Sequence, residues 1–159
     1  LPALLYLQGG PGFPAPRPLA PTGLIGKALE RYRVILLDQR GTGRSHRIDA
    51  LSPAAERTAE HLALLRQDNI VRDAERLLEH LGVEKWSLFG QSFGGFCITA
   101  YLPQAPERVE YAFFTGGIPT LQGADDLYRA TFSKLKSVSS VSTTSSHGPK
   151  TASKRSFPT

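Results

Sequence analysis

Gly90-Gln91-Ser92-Phe93-Gly94 sets a serine between two glycines in the pattern G-x-S-x-G. Where a strand turns sharply into a helix, this spacing leaves the serine at the apex with its hydroxyl clear of the sheet. The glycines keep side chains out of the place where strand and helix backbones nearly touch. The helix that follows aims its first amides at the serine oxygen and favours negative charge there. That arrangement suits nucleophilic attack by Ser92 on a carbonyl, with the Phe93 N–H as one donor to the oxyanion. The alternative is a strand–helix turn whose serine only caps the helix.

A second oxyanion donor has to come from the loop after a neighbouring strand. Gln8-Gly9-Gly10-Pro11-Gly12 stands in the right chain order, and its glycines permit close backbone approach. Gly10 is the expected donor and Gly9 the runner-up; a tight turn with no chemical role is the alternative. Asp38-Gln39-Arg40-Gly41-Thr42-Gly43-Arg44-Ser45 is also glycine-rich, but His46 stands where a dinucleotide loop needs its third glycine. As a phosphate loop it has Asp38 at the first glycine and Arg44 in place of lysine. It reads as a structural turn in which Asp38 and Arg40 pair or bond to adjacent loops.

Positioning these residues calls for strands that end in glycine turns and lead into helices. Ala3–Leu7 is a short unbroken apolar run closed by glycine, as in a strand buried on both faces. Val34–Leu37, Trp86–Phe89 and Tyr111–Phe114 read the same way. Helices are expected over 24–31, in part over 53–66, and from Phe93 to before Pro103, which cannot continue a helix. The best-marked helix is capped by Asp68 or Asn69, carries Ile70, Ala74, Leu77, Leu78 and Leu81 at helical spacing, and stops at Gly82. A further helix is expected after Asp125 and Asp126. Strand, turn and helix alternate four times, which predicts an α/β fold with a mostly parallel sheet and flanking helices.

The body, 1–136, carries 16 basic and 14 acidic side chains, interspersed as on a solvated surface. The net charge of +5 is therefore no nucleic-acid stripe, and nucleic acid is not expected as a partner. No apolar run reaches the ~20 residues of a membrane span, and no secretory leader is visible. With the single Cys97 this suggests a cytoplasmic location. The chain lacks methionine and opens directly on a strand, as a fragment would. From 137 to 159 it is rich in Ser, Thr and Lys and is expected to be disordered.

Leu7-Gln8-Gly9-Gly10-Pro11-Gly12, the Asp38–Ser45 stretch and Gly90-Gln91-Ser92-Phe93-Gly94-Gly95, in this order and spacing, resemble the proline iminopeptidases. These prolyl aminopeptidases are serine peptidases of the α/β-hydrolase fold. The resemblance covers about residues 1–136, and Leu127-Tyr128-Arg129 resembles the start of a cap domain, from about 124. It opens with Gln8 where many members have histidine. The resemblance implies an acyl-enzyme on Ser92, a peptide substrate with a free N-terminus held by cap carboxylates, and neither cofactor nor metal. It also implies an aspartate and then a histidine well after the serine. His46, His61 and His80 precede Ser92, His147 lies in the tail, and Asp125 and Asp126 look like helix-start residues. The 159-residue chain is therefore expected to hold nucleophile and oxyanion hole without a base, and to leave its first and last strands with open edges.

Overall fold

The computed structural model describes residues 1–117 together with Arg129, Phe132 and Ser133. Residues Leu1–Pro119 form one compact unit. The three later described residues belong to a second unit and are helical and exposed. Of the expected start of a cap only Arg129 is described; Leu127, Tyr128, Asp125, Asp126 and the tail lie outside the described residues.

Strand β1 is Ala3–Leu7, buried along its whole length as its unbroken apolar run requires. Helix α1, Gly23–Leu29, returns the chain to β2, Arg33–Leu36. The stretch expected to be partly helical breaks into a 3₁₀ turn, Ala54–Arg57, and a short α2, Ala59–Ala63, which Thr58 caps through its side chain. Helix α3, Gln67–His80, starts earlier than its acidic residues suggest. Arg66 is the N-cap and makes no side-chain cap, while Asp68 sits in the first turn, where the helix dipole favours a negative charge. Its far end closes as expected at Gly82 (φ +62°), with the N–H of Val83 bonded to Leu78 and that of Gly82 to Glu79.

β3, Trp86–Gln91, leads into α4, Phe93–Tyr101, and β4, Val109–Thr115, follows. The four strands make one parallel sheet in the order β2-β1-β3-β4. The open edges among the described residues are thus those of β2 and β4. The first strand is interior, contrary to expectation, because the chain runs from β1 outward to β2 and then crosses back to β1's other side. β4 presents Tyr111 and Phe113, stacked on each other and exposed.

Leu5, Leu7 and Leu88 of the sheet pack with Ile70, Val71, Ala74 and Leu78 of α3 and Ile98 of α4 to form the core. One polar chain runs through it. The Trp86 indole donates to the Tyr101 hydroxyl at 3.1 Å, and that hydroxyl donates to Glu75. Burial pushes the Glu75 carboxyl above its ordinary range; Arg108 opposes this, and Glu107 and Glu79 add to it. The folded state therefore holds this proton more tightly than the unfolded chain does. The resulting stability is fully present below the ordinary value of 4.5 and is lost as pH rises through the raised one. Glu75→Gln keeps an acceptor for Tyr101 and should flatten that slope, read as urea midpoints against pH. Identical pH profiles for variant and wild type would contradict the assignment.

Candidate active site

The crossovers leave β1 and β3 in opposite directions, one toward β2 and the other toward β4, so the carboxyl ends of these neighbours flank a switch point. Ligands of parallel sheets bind at such points. The loop after β1 is Gln8–Gly12, and the turn after β3 holds Ser92. Leu7 pairs with Gly90, which brings the two turns side by side.

Ser92 has φ 48° and ψ −114°, a left-handed backbone that a residue with a side chain holds only at a cost of roughly 1–3 kcal/mol. Its surroundings impose it. The Ser92 N–H donates to the Thr115 carbonyl at 3.1 Å, and its own carbonyl accepts from Gly95 at 2.8 Å. Gly117 comes so near that carbonyl that a Cβ there would overlap it. A Cβ on Gly90 would meet the Gly94 carbonyl at 2.5 Å, and one on Gly94 would overlap the Leu7 carbonyl. Both elbow glycines are thus required by contact, as the motif suggested. Ser92 is exposed at the apex.

Gly9 is buried against this turn; a Cβ on it would lie 3.0 Å from both the Gln91 oxygen and Ser92 Cβ. Its amide donates to Gln8 Oε1 at 3.0 Å. The amides of Gly10 (φ +125°) and Phe93 have no partner among the described residues.

The Asp38–Ser45 stretch holds this loop in place. Gln39, buried, donates through Nε2 to the Gln8 carbonyl at 3.0 Å. Asp38 accepts from the Ala15 N–H, from both terminal nitrogens of Arg17 and from the Arg44 N–H, each at 2.9 Å. Burial raises the Asp38 carboxyl, but Arg17 and the two backbone donors more than offset this and hold it below its usual range. Asp38 and Arg40 do not pair with each other. Arg40 reaches Asp73 with two bonds of 2.6 and 2.7 Å and the Leu64 carbonyl at 2.7 Å, fastening the turn to α3. Beside Phe93 lies a cavity of about 370 Å³, walled by Pro11, Gly12, Gln39, Thr42, Leu65 and Ile70.

No histidine among the described residues joins Ser92. Its hydroxyl has no hydrogen-bond partner among them; His46 pairs with Glu56 at 3.0 Å, and His80 is exposed at the end of α3. His61 lies on α2, and His147 falls outside the described residues. Sequence reasoning overlooked Tyr6, whose hydroxyl lies close to both Gln8 and Gln91. Its place two residues before Gln8, on the same face of the strand, was the available signal.

Residues 2–138 match the family model described as the alpha/beta hydrolase fold. A proline iminopeptidase of Aeromonas sobria is 51% identical over 142 residues, covering 85% of this chain and 33% of the relative. The proline iminopeptidase aneH of Aspergillus aculeatus is 41% identical over 127 residues, 74% of this chain and 28% of its own length. Among solved structures, a proline iminopeptidase-related protein from Thermus thermophilus superposes with a TM-score of 0.51 at 30% identity, over 71% of this chain and 35% of that one. The chain spans about a third of the length of the curated relatives it matches. Among the described residues, no helix is long and apolar enough to cross a membrane.

Proposed function

The chain belongs to the alpha/beta hydrolase fold family, and from that premise we propose that it is part of a serine exopeptidase that releases N-terminal proline from peptides. The observation that carries the reading is the strained Ser92 at the switch point, set beside a glycine loop whose Gly10 amide has no partner among the described residues. The choice of substrate class follows the similarity to proline iminopeptidases.

In this reading Ser92 Oγ attacks the carbonyl of the substrate's first residue and gives up its proton to a base. The carbonyl oxygen becomes an oxyanion held by the N–H groups of Gly10 and Phe93. The C–N bond then breaks, the proton passes to the leaving amine, and an ester to Ser92 remains for water to cleave. His46, His61 and His80 precede the serine and His147 lies in the Ser/Thr-rich tail, so none is taken as the base and the 159 residues alone are expected to turn over little. The peptide partner enters with a free ammonium group.

The test is hydrolysis by the full-length gene product of proline, alanine and tripeptide arylamides, alongside simple esters and lactones. Proline arylamide should be cleaved fastest, and acetylation of its nitrogen should abolish cleavage. Preference for the tripeptide, ester or lactone would move the protein to another hydrolase activity. No turnover at all would make it a non-catalytic member of the fold.

A further inference from the structure

Three polar side chains bridge the glycine loop and the serine turn. The Tyr6 hydroxyl lies 2.9 Å from Gln8 Oε1 and 2.6 Å from Gln91 Oε1. It carries one proton and can donate to one of them only. Gln8 Oε1 also accepts the Gly9 N–H at 3.0 Å, which identifies that atom as the oxygen. Tyr6 therefore donates to Gln8, and the Gln91 amide is turned so that its NH₂ donates to the phenol oxygen. Donation to Gln91 instead would leave two acceptors facing each other across 2.9 Å. Burial pushes the phenol's pKa up, which keeps this proton in place.

The bridge has a direct bearing on the oxyanion hole. Gln8 is held through its main-chain carbonyl by Gln39 and through its side chain by Tyr6, so its loop is pinned at both points. By taking the Gly9 amide, Gln8 leaves Gly10 as the next donor along the loop. Through Tyr6 and Gln91 the same side chain is tied to the residue before Ser92. A donor accelerates acyl transfer only when it already stands where the oxyanion will form.

We propose that Gln8 is a positioning residue for the oxyanion hole, fixing the Gly10 amide relative to Ser92 through Tyr6 and Gln91. The proposal rests on the acyl-transfer reading above. In the full-length gene product, Gln8→Leu should lower kcat on proline arylamide by about 10- to 100-fold, less than the loss of a donor outright, with KM within about twofold. Tyr6→Phe should lower kcat less, and the double variant should fall no further than Gln8→Leu. Unchanged kcat in an active enzyme, additive losses, or losses that only follow a falling Tm would overturn the proposal. An inactive wild type would sink the acyl-transfer reading itself. Amide exchange in the 159-residue chain reads the bridge without turnover. Gln8→Leu should speed Gly9 exchange by about tenfold or more and leave Gly10 unchanged, and Tyr6→Phe should speed Gly9 less; equal Gly9 rates in all three proteins would overturn the proposal.

Discussion

Ser92→Ala is expected to lower kcat/KM of the full-length product on proline arylamide by about four powers of ten or more, because attack and proton transfer act as a unit. Labelling by a fluorophosphonate probe should vanish with it. A second substitution separates chemistry from architecture. Ser92→Gly loses the same hydroxyl but can adopt φ 48° freely, so it should be equally inactive and yet more stable by about 1 kcal/mol. A urea series measures the second effect. Residual turnover above about one per cent in either variant would remove Ser92 from the nucleophile role. In the 159-residue chain, by contrast, even the native serine should label slowly. Rapid stoichiometric labelling would show that a base already acts on it.

The second large effect concerns the elbow's packing. Gly94→Ala places a methyl group into the Leu7 carbonyl, where the neighbouring atoms are backbone and cannot step aside. The expected cost is about 3 kcal/mol, the upper end of overpacking, and a urea midpoint lowered by more than about 1 M. Gly82→Ala is the contrasting case. Gly82 has a positive φ, +62°, which Gly94 lacks, but nothing lies within 4 Å of its Cβ position, so only a backbone term of about 1 kcal/mol applies. Equal losses at the two positions would mean that the elbow relaxes and that its glycines are not required by contact.

The elements that could be read in advance were those whose signal is local. β1 is an apolar run closed by glycine, and α3 ends where Gly82 allows a left-handed residue. Ends fixed by distant partners were read less well. β4 is longer at both ends than its apolar run, because Val109 pairs with Trp86 and Thr115 with Gln91. The start of α3 was misplaced because Asp68 and Asn69 have cap chemistry. Arg40, by binding the Leu64 carbonyl and Asp73, helps fix how the chain enters the helix. In the candidate site, the motifs marked the two turns that carry Ser92, Phe93 and Gly10, which the pairing of β1 with β3 sets side by side, since each motif is short and contiguous. The contacts of Tyr6 with Gln91 and of Gln39 with Gln8 escaped notice because those partners are defined only once β1, β2 and β3 lie side by side. No pattern within one segment encodes such an adjacency.

The interior place of β1 has a consequence for synthesis. As the chain leaves the ribosome, β1 can pair with β2 early, but its other edge must wait for β3, about eighty residues later. During that interval an apolar strand edge is open to any neighbouring chain. The glycine loop also has no serine turn to rest against until then. The glycine loop and the serine turn therefore reach their final form together, in the step that joins β1 to β3.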